Sequence, residues 1–320
     1  MACKVIVTGA AGFIGSHTVE CLLAAGHSVW GVDNFRTGRW ENLVEARRHQ
    51  SFEIVEMDVA DEPTFVDFTG GVRPDVIIHL AALVSVPESI ANPELNDRLT
   101  FQTTKAVANA AKRHQVGRIV FASSAAVYGN PVTAPISETD FVNPLSPYGS
   151  AKLASEKLLL EDSRRFGFHC RCQRYFNVYG PRQDPSSPYS GVISVFLDKL
   201  RSDSAPVNYG DGGQTRDFIS VRDVSRANLI AATKPGIISG VANICTGAAT
   251  SINELWHLLN LGRSNVLDPS YLPPRPGDIR HSCGSPLAAL REIGFQPEVA
   301  LEDGLQEILS HLQPAGSGVC

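Results

Sequence analysis

The sequence predicts an α/β protein built on a doubly wound parallel sheet, with a smaller mixed lobe toward the C-terminus. Three observations carry this. The first half alternates short β-branched runs with longer segments of helical periodicity. The runs lack a polar face, as strands do when helices cover a sheet on both sides. After Tyr175 the alternation breaks down and turn-forming residues accumulate, at Pro181, Pro185, Pro188, Gly191, Pro206, Gly210, Gly212 and Gly213.

In chain order, Val5–Val7, Ser28–Val32, Phe52–Met57, Val76–Leu80, Arg118–Ala122 and His169–Tyr175 read as strands, and Ser239–Ile244 returns to the sheet. Thr18–Ala25, roughly Pro93–His114 and roughly Pro147–Phe166 have the periodicity and length of helices. A second loop-rich zone runs from Tyr271 to Asp278. The expected division is a cofactor domain over 1–176, with the chain returning to it at about 216–252. Residues 177–215 and 253–313 form the second lobe, and 314–320 a flexible tail.

A chain of 320 residues, 43% hydrophobic, can bury a substantial core. Its net charge of −5 gives no footprint for nucleic acid or an anionic membrane. No apolar run reaches the roughly 18 residues of a membrane span. The N-terminus enters the first strand without a signal-peptide pattern, so a cytoplasmic location is expected. Seven cysteines without framework spacing are expected as reduced thiols. Cys170 and Cys172, two apart in a strand, are expected to face opposite ways and not to share a metal; no metal site is expected.

Thr8-Gly9-Ala10-Ala11-Gly12-Phe13-Ile14-Gly15 follows the first strand and opens a helix. Glycines so spaced permit a tight turn, close approach of a pyrophosphate, and close helix–strand packing. The helix N-terminus adds amides and a favourable dipole. Asp33, ending the second strand ahead of Asn34, can accept both hydroxyls of an adenosine ribose and would repel a 2′-phosphate. The expectation is therefore a Rossmann-type site for NAD, tempered by Arg36 nearby; the alternative for Asp33 is an ordinary strand-ending turn. Asp58-Val59 ends the third strand, where Asp58 is either a cofactor neighbour or a helix cap. Leu80-Ala81-Ala82 ends the fourth with small residues that leave room across the sheet edge.

Tyr148-Gly-Ser-Ala-Lys152 sets a phenol and an ammonium one helical turn apart. A phenol with its ordinary pKa near 10 is a poor base at neutral pH. A neighbouring Lys⁺ and a positive nicotinamide ring would favour the phenolate.

With these motifs together, the chain resembles the extended short-chain dehydrogenase/reductases, and among them the UDP-hexose and UDP-N-acetylhexosamine 4-epimerases. The likeness spans nearly the whole chain. It is carried by Thr8–Gly15, His79–Ala82, Ser123-Ser124 with Val127-Tyr128-Gly129, Pro144–Lys152, Arg174–Pro181 and Gly213–Phe218. The resemblance implies that Ser124 bonds the sugar C4 oxygen, Tyr148 exchanges its proton, and Lys152 holds the nicotinamide ribose. It implies further cofactor contacts at Gly9, Gly12, Phe13, Ile14, Gly15, Asp33, Asn34, Asp58, Val59, Leu80, Ala81, Ala82 and Tyr175. For a nucleotide-diphosphate sugar it implies Ser85, Asn177, Val192, Tyr209, Arg216, Arg275, Asp278 and Ser282. Arg216 could instead form a surface ion pair with Asp217.

Related dehydratases carry an Asp-Glu pair after the hydroxyl residue, and related decarboxylases a Glu at the second of those positions. Here both are alanine, Ala125 and Ala126, which leaves 4-epimerisation as the simplest cycle. Ser282 stands where galactose-only enzymes carry a bulky Tyr, which leaves space for a 2-acetamido group. Asp184 would repel a glucuronate. UDP-GlcNAc/UDP-GalNAc or UDP-Glc/UDP-Gal is therefore expected. The alternatives are UDP-glucuronate 4-epimerisation, dehydration, 4-keto reduction, or non-catalytic binding of NAD and a nucleotide sugar. The family's usual Asn and Gly-Thr are replaced here by Thr100, Thr103 and Thr104. The helices over 93–114 and 147–166 imply a homodimer.

Overall fold

The computed structural model describes residues 2–131, 133–183, 191–261, 263, 266–274 and 279–312. Arg275, Asp278 and Asp184 lie outside the described residues, as does the segment 314–320. Seven strands form one parallel sheet: β1 (Lys4–Thr8), β2 (Ser28–Asp33), β3 (Phe52–Glu56), β4 (Val76–His79), β5 (Arg118–Ser124), β6 (His169–Tyr175) and β11 (Gly240–Ile244). Their order is β11-β6-β5-β4-β1-β2-β3, which places the chain reversal between β1 and β4. A cleft at the carboxyl edge of such a sheet opens at that reversal.

Helices α1 (Phe13–Ala24) and α8 (Val221–Thr233) cover one face, burying Val19, Leu22, Leu23, Ala231 and Ala232 against Val5, Val7, Ile78 and Val120. Helices α2 (Glu62–Val72), α5 (Thr103–His114) and α6 (Pro147–Phe166) cover the other, where Phe65, Val107, Ala110 and Leu159 meet Ile6, Ile77, Ile119 and Phe121. The remaining helices are the short α3 (Val86–Ala91) and α4 (Pro93–Asn96), then α7 (Val192–Arg201), α9 (Ile252–Leu259), α10 (Leu287–Ile293) and α11 (Leu301–Leu312). A separate apolar cluster joins Ile193, Phe196 and Leu197 of α7 to Leu255, Trp256 and Leu259 of α9 and Leu305 and Ile308 of α11. Small sheets border it: β7 (Asn177–Tyr179) with β10 (Phe218–Ser220), and β8 (Val207–Tyr209) with β13 (Ser270–Leu272). The third joins β12 (Thr250–Ser251), β9 (Thr215–Arg216) and β14 (His281–Ser282).

Two expectations are corrected. Cys170 and Cys172 lie on the same face of β6, fully buried, with sulfurs 3.8 Å apart. The side-chain period of a strand is two, so residues i and i+2 share a face. The single helix expected over 93–114 is α4, a π-helical turn at Asp97–Gln102, and α5. Threonine explains the interruption. Thr103 Oγ1 donates to the Leu99 and Thr100 carbonyls, Thr104 Oγ1 donates to the Thr100 carbonyl, and Thr100 Oγ1 accepts from the amide of Leu83. Hydroxyls that bond back to the helix or out to another segment loosen the regular ladder.

Helix α6 has strong local stop signals. Ser146 caps it by accepting from Gly149 N, Pro147 occupies its first turn, and Gly167 closes it in the left-handed region at φ 82°. Its inner face carries charge into the core. Glu156 takes Arg174 of β6 bidentately at 2.9 and 2.7 Å and also accepts from Ser123 of β5. Arg174 and Glu156 are 5% and 3% exposed, so each depends on the other for compensation. Replacing Glu156 with Ala should destabilise the fold by about 3–5 kcal/mol, because Arg174 stays buried without a counter-charge. Urea unfolding of the purified variant measures this.

Candidate active site

The glycine loop is shaped by contacts that exclude a side chain. Gly9 has φ 72°, and a Cβ there would stand 2.8 Å from Ala81 N; a Cβ on Gly15 would stand 1.9 Å from the Gly9 carbonyl oxygen. Helix α1 then begins at Phe13, with Gly12 as a cap that offers no side chain and with no acidic residue in its first turn, so its amides and dipole are available to an anion. Phe13 and Ile14 are partly exposed at this end, and Gly15 is buried.

Asp33 is 7% exposed and accepts from Ala11 N at 2.9 Å and Phe35 N at 2.8 Å. Burial pushes its carboxyl up, while the Phe35 and Ala11 amides pull it down. Asn34 accepts from the Arg36 amide. Asp58 is not the cap of α2, a position held by Asp61; it accepts from Ala60 N and pairs with Arg98. Val59 is buried in the core. Leu80, Ala81 and Ala82 line the edge half-exposed.

A buried chain of hydrogen bonds fixes this edge. Leu80 N and Ala81 N both donate to Thr8 Oγ1, and Thr8 Oγ1 lies 2.7 Å from His79 Nδ1. On its far side His79 Nε2 is 3.2 Å from Thr104 Oγ1, whose proton goes to the Thr100 carbonyl. The directions close only if Thr8 donates to Nδ1 and His79 carries its proton on Nε2. Burial, with nearby Lys152, holds His79 from its ordinary 6.5 down to about 3. In the sequence His79 stands only as part of the His79–Ala82 motif, and the Thr8 and Thr104 hydroxyls that flank it lie far along the chain.

Ser124 ends β5, and its Oγ accepts from Ala126 N at 3.2 Å. Burial pushes the Tyr148 phenol up, and the nearby Ser124 hydroxyl pulls it back. Lys152 is 3% exposed, donates to the Ala122 carbonyl at 2.7 Å, and lies 5.8 Å from the centre of the Tyr148 ring. Burial lowers its ammonium to about 7, with Glu156 opposing. Gly149 lets the helix come this close, since a Cβ would lie 2.7 Å from the Ala126 carbonyl oxygen. Ala125 and Ala126 stand partly exposed beside Ser124 and carry no acid or base.

The sugar-nucleotide candidates gather in part. Asn177, Val192, Tyr209 and Arg216 line one cavity of about 450 Å³. Ser282 pairs in register with Arg216. Arg216 Nη1 donates to the Thr215 and Ile279 carbonyls. Asp217 is not at the surface: it is fully buried and accepts from Thr246, Gly247 and Gly284. Asn177 lies two residues beyond Tyr175, which pairs with Ser124 across β6 and β5, so the cavity adjoins the carboxyl end of the sheet. The Tyr175 hydroxyl donates to Asn228 inside the core, and Ser85 Oγ caps α3 by accepting from Glu88 N. Among the described residues no cluster of three His, Cys, Asp or Glu could hold a metal ion, and no helix is long and apolar enough to cross a membrane.

A parallel sheet with a glycine loop at its reversal, an acid ending β2 and a Ser–Tyr–Lys set at its carboxyl edge defines a nicotinamide-dependent enzyme of the short-chain dehydrogenase type. The chain belongs to the NAD dependent epimerase/dehydratase family, whose model matches residues 5–245. It is 39% identical to a UDP-glucose 4-epimerase of Mycolicibacterium smegmatis, over 94% of this chain and 96% of that protein. Two solved structures superpose with TM-scores of 0.90. One is a Thermotoga maritima UDP-glucose 4-epimerase with UDP-glucose, 35% identical, covering 97% of this chain and 100% of that one. The other is a Methanobrevibacter ruminantium UDP-N-acetylglucosamine 4-epimerase in complex with UDP-N-acetylmuramic acid, 34% identical, covering 97% and 99%.

His79 should stay neutral from about pH 5 to 8, with its proton on Nε2; nitrogen NMR of labelled histidine reads both. The stability linked to it is present in full above pH 6.5 and is lost as pH falls from 6.5 toward 3, because only the unfolded chain takes up the proton there.

Proposed function

We propose that the protein catalyses NAD-dependent 4-epimerisation of a UDP-sugar through a transient 4-keto sugar. The observation that carries this is the Ser124–Tyr148–Lys152 set, with alanines at the two positions where elimination or decarboxylation needs an acid–base group. NAD⁺, which the glycine loop, Asp33 and Lys152 would hold, would supply a reversible two-electron acceptor for C4 and a positive ring favouring the Tyr148 phenolate. Tyr148 takes the C4 hydroxyl proton and gives it back, so no proton or electron is lost over a cycle. Ser124 holds the C4 oxygen, and Lys152 fixes the ribose beside the phenol.

Arg216 and Asn177 hold the diphosphate, Val192 and Tyr209 wall the cavity, and Ser282 beside Arg216 leaves room at the sugar. In a chain of net charge −5, a placed guanidinium is the means of retaining such an anion. Asp33 fits an NAD ribose. Arg275 and Asp278 complete the nucleotide site in this reading. The substrate is UDP-GlcNAc/UDP-GalNAc or UDP-Glc/UDP-Gal, the small Ser282 favouring the N-acetyl pair.

The reading includes a cofactor lobe over 1–176 with return at about 216–252, a substrate lobe over the remainder to 313, and a cytoplasmic location. It also includes a homodimer through the helical segments over 93–114 and 147–166. The apolar faces of those helices pack largely within the subunit, while Phe101 and Leu158 stay partly exposed beside them.

Incubation with NAD⁺ and, separately, UDP-GlcNAc, UDP-Glc and UDP-GlcA should give the C4 epimer of one of the first two, by proton NMR, without net NADH. Loss of water or a persistent keto product would overturn the reading. Tyr148→Phe should lower turnover by about 10²–10⁴ while UDP-sugar binding is retained, as read by calorimetry. Light scattering at the monomer mass would reject the dimer.

A further inference from the structure

The first cation after the second strand is engaged by an acid of another segment. Arg36 lies three residues beyond Asp33, and its guanidinium is ion-paired with Glu88 of α3, the two side chains being 37% and 25% exposed. Glu88 follows β4 and Arg36 follows β2, and β1 lies between those strands in the sheet. The pair therefore spans the carboxyl end of β1, where the glycine loop begins. Both ends are anchored. Arg36 N donates to Asn34 Oδ1, and Glu88 N donates to Ser85 Oγ, the α3 cap. Asp33 is held just as firmly by Ala11 and Phe35, with Gly38 so close that a Cβ there would lie 2.7 Å from its carboxylate.

A 2′-phosphate on the adenosine ribose would meet the Asp33 carboxylate and would need a cation to offset the repulsion. Arg36 has the reach and the planar fork for that role. We propose that Glu88 is a cofactor-specificity residue, which excludes the 2′-phosphorylated dinucleotide by engaging Arg36 across the groove. Asp33 repels the phosphate, and Glu88 withholds the charge that would accommodate it. Specificity built this way contains a repulsive element and a sequestered attractive one. In this proposal Glu88 is a positioning residue that acts through Arg36. The inference rests on the cofactor site described above.

The test is equilibrium binding of NAD⁺, NADP⁺ and 2′,5′-ADP to the purified full chain by calorimetry, comparing wild type, Glu88→Gln, Arg36→Ala and the double variant. 2′,5′-ADP carries the 2′-phosphate without the nicotinamide, so its binding is independent of catalysis. Glu88→Gln should tighten NADP⁺ and 2′,5′-ADP by about fivefold, the size of one exposed ion pair, and leave NAD⁺ within about twofold. The gain should vanish in the double variant. Unchanged NADP⁺ affinity in Glu88→Gln, with NAD⁺ still bound, overturns this inference alone, as does a gain that survives loss of Arg36. Failure of the wild type to bind NAD⁺ overturns the cofactor site and this inference together.

Discussion

The active-site geometry depends on a pair of charges buried beneath helix α6. Glu156 and Arg174 compensate each other between that helix and β6, and Ser123 ties the same carboxylate to β5. A buried ion pair of this kind adds little net stability, since both ions lose their hydration. It does fix position, because neither ion can slide away without being left uncompensated. One turn earlier Lys152 reaches the Ala122 carbonyl, and one further turn earlier Tyr148 meets Ser124. Three consecutive turns of one helix are thus registered against the end of one strand.

The same packing sets the chemistry of the groups it positions. Desolvation moves Lys152 down and Tyr148 up, each toward its neutral form. A phenol and an amine held near neutrality respond strongly to any charge brought beside them, whereas a solvated pair would have that charge screened. Burial and the nearby Lys152 keep the His79 imidazole neutral too. It bonds β1, β4 and α5 together through Thr8 and Thr104 without adding charge.

The sheet was legible because its strands are short apolar runs with no polar face, and all seven fall within two residues of the observed ends. Helix α6 was legible in full, since Ser146, Pro147 and Gly167 mark its ends chemically. Helix α2 was not, because Pro63, Gly70 and Gly71 look like turn signals; Pro63 in fact sits in the first turn, where proline is tolerated. Helix α8 was hidden by a short, half-polar pattern whose buried positions include Asp223, Ser225 and Asn228. In the site, Ser124, Tyr148 and the glycine loop announce themselves by spacing. The Arg36–Glu88 and Glu156–Arg174 pairs do not, because their partners lie 52 and 18 residues apart and nothing local specifies their meeting.

The cavity shows why the second half of the sequence reads as irregular. Asn177, Val192, Tyr209 and Arg216 reach one space of about 450 Å³ from four separate elements, β7, α7, β8 and β9. Strands of two or three residues cannot display a periodicity, yet they hold side chains in place by backbone pairing, as Ser282 is held opposite Arg216. Their stability comes from the apolar cluster of α7, α9 and α11 behind them. The parallel sheet supplies a rigid edge for a reaction common to the family. The short strands supply wall positions of the cavity from the part of the chain whose pattern is weakest.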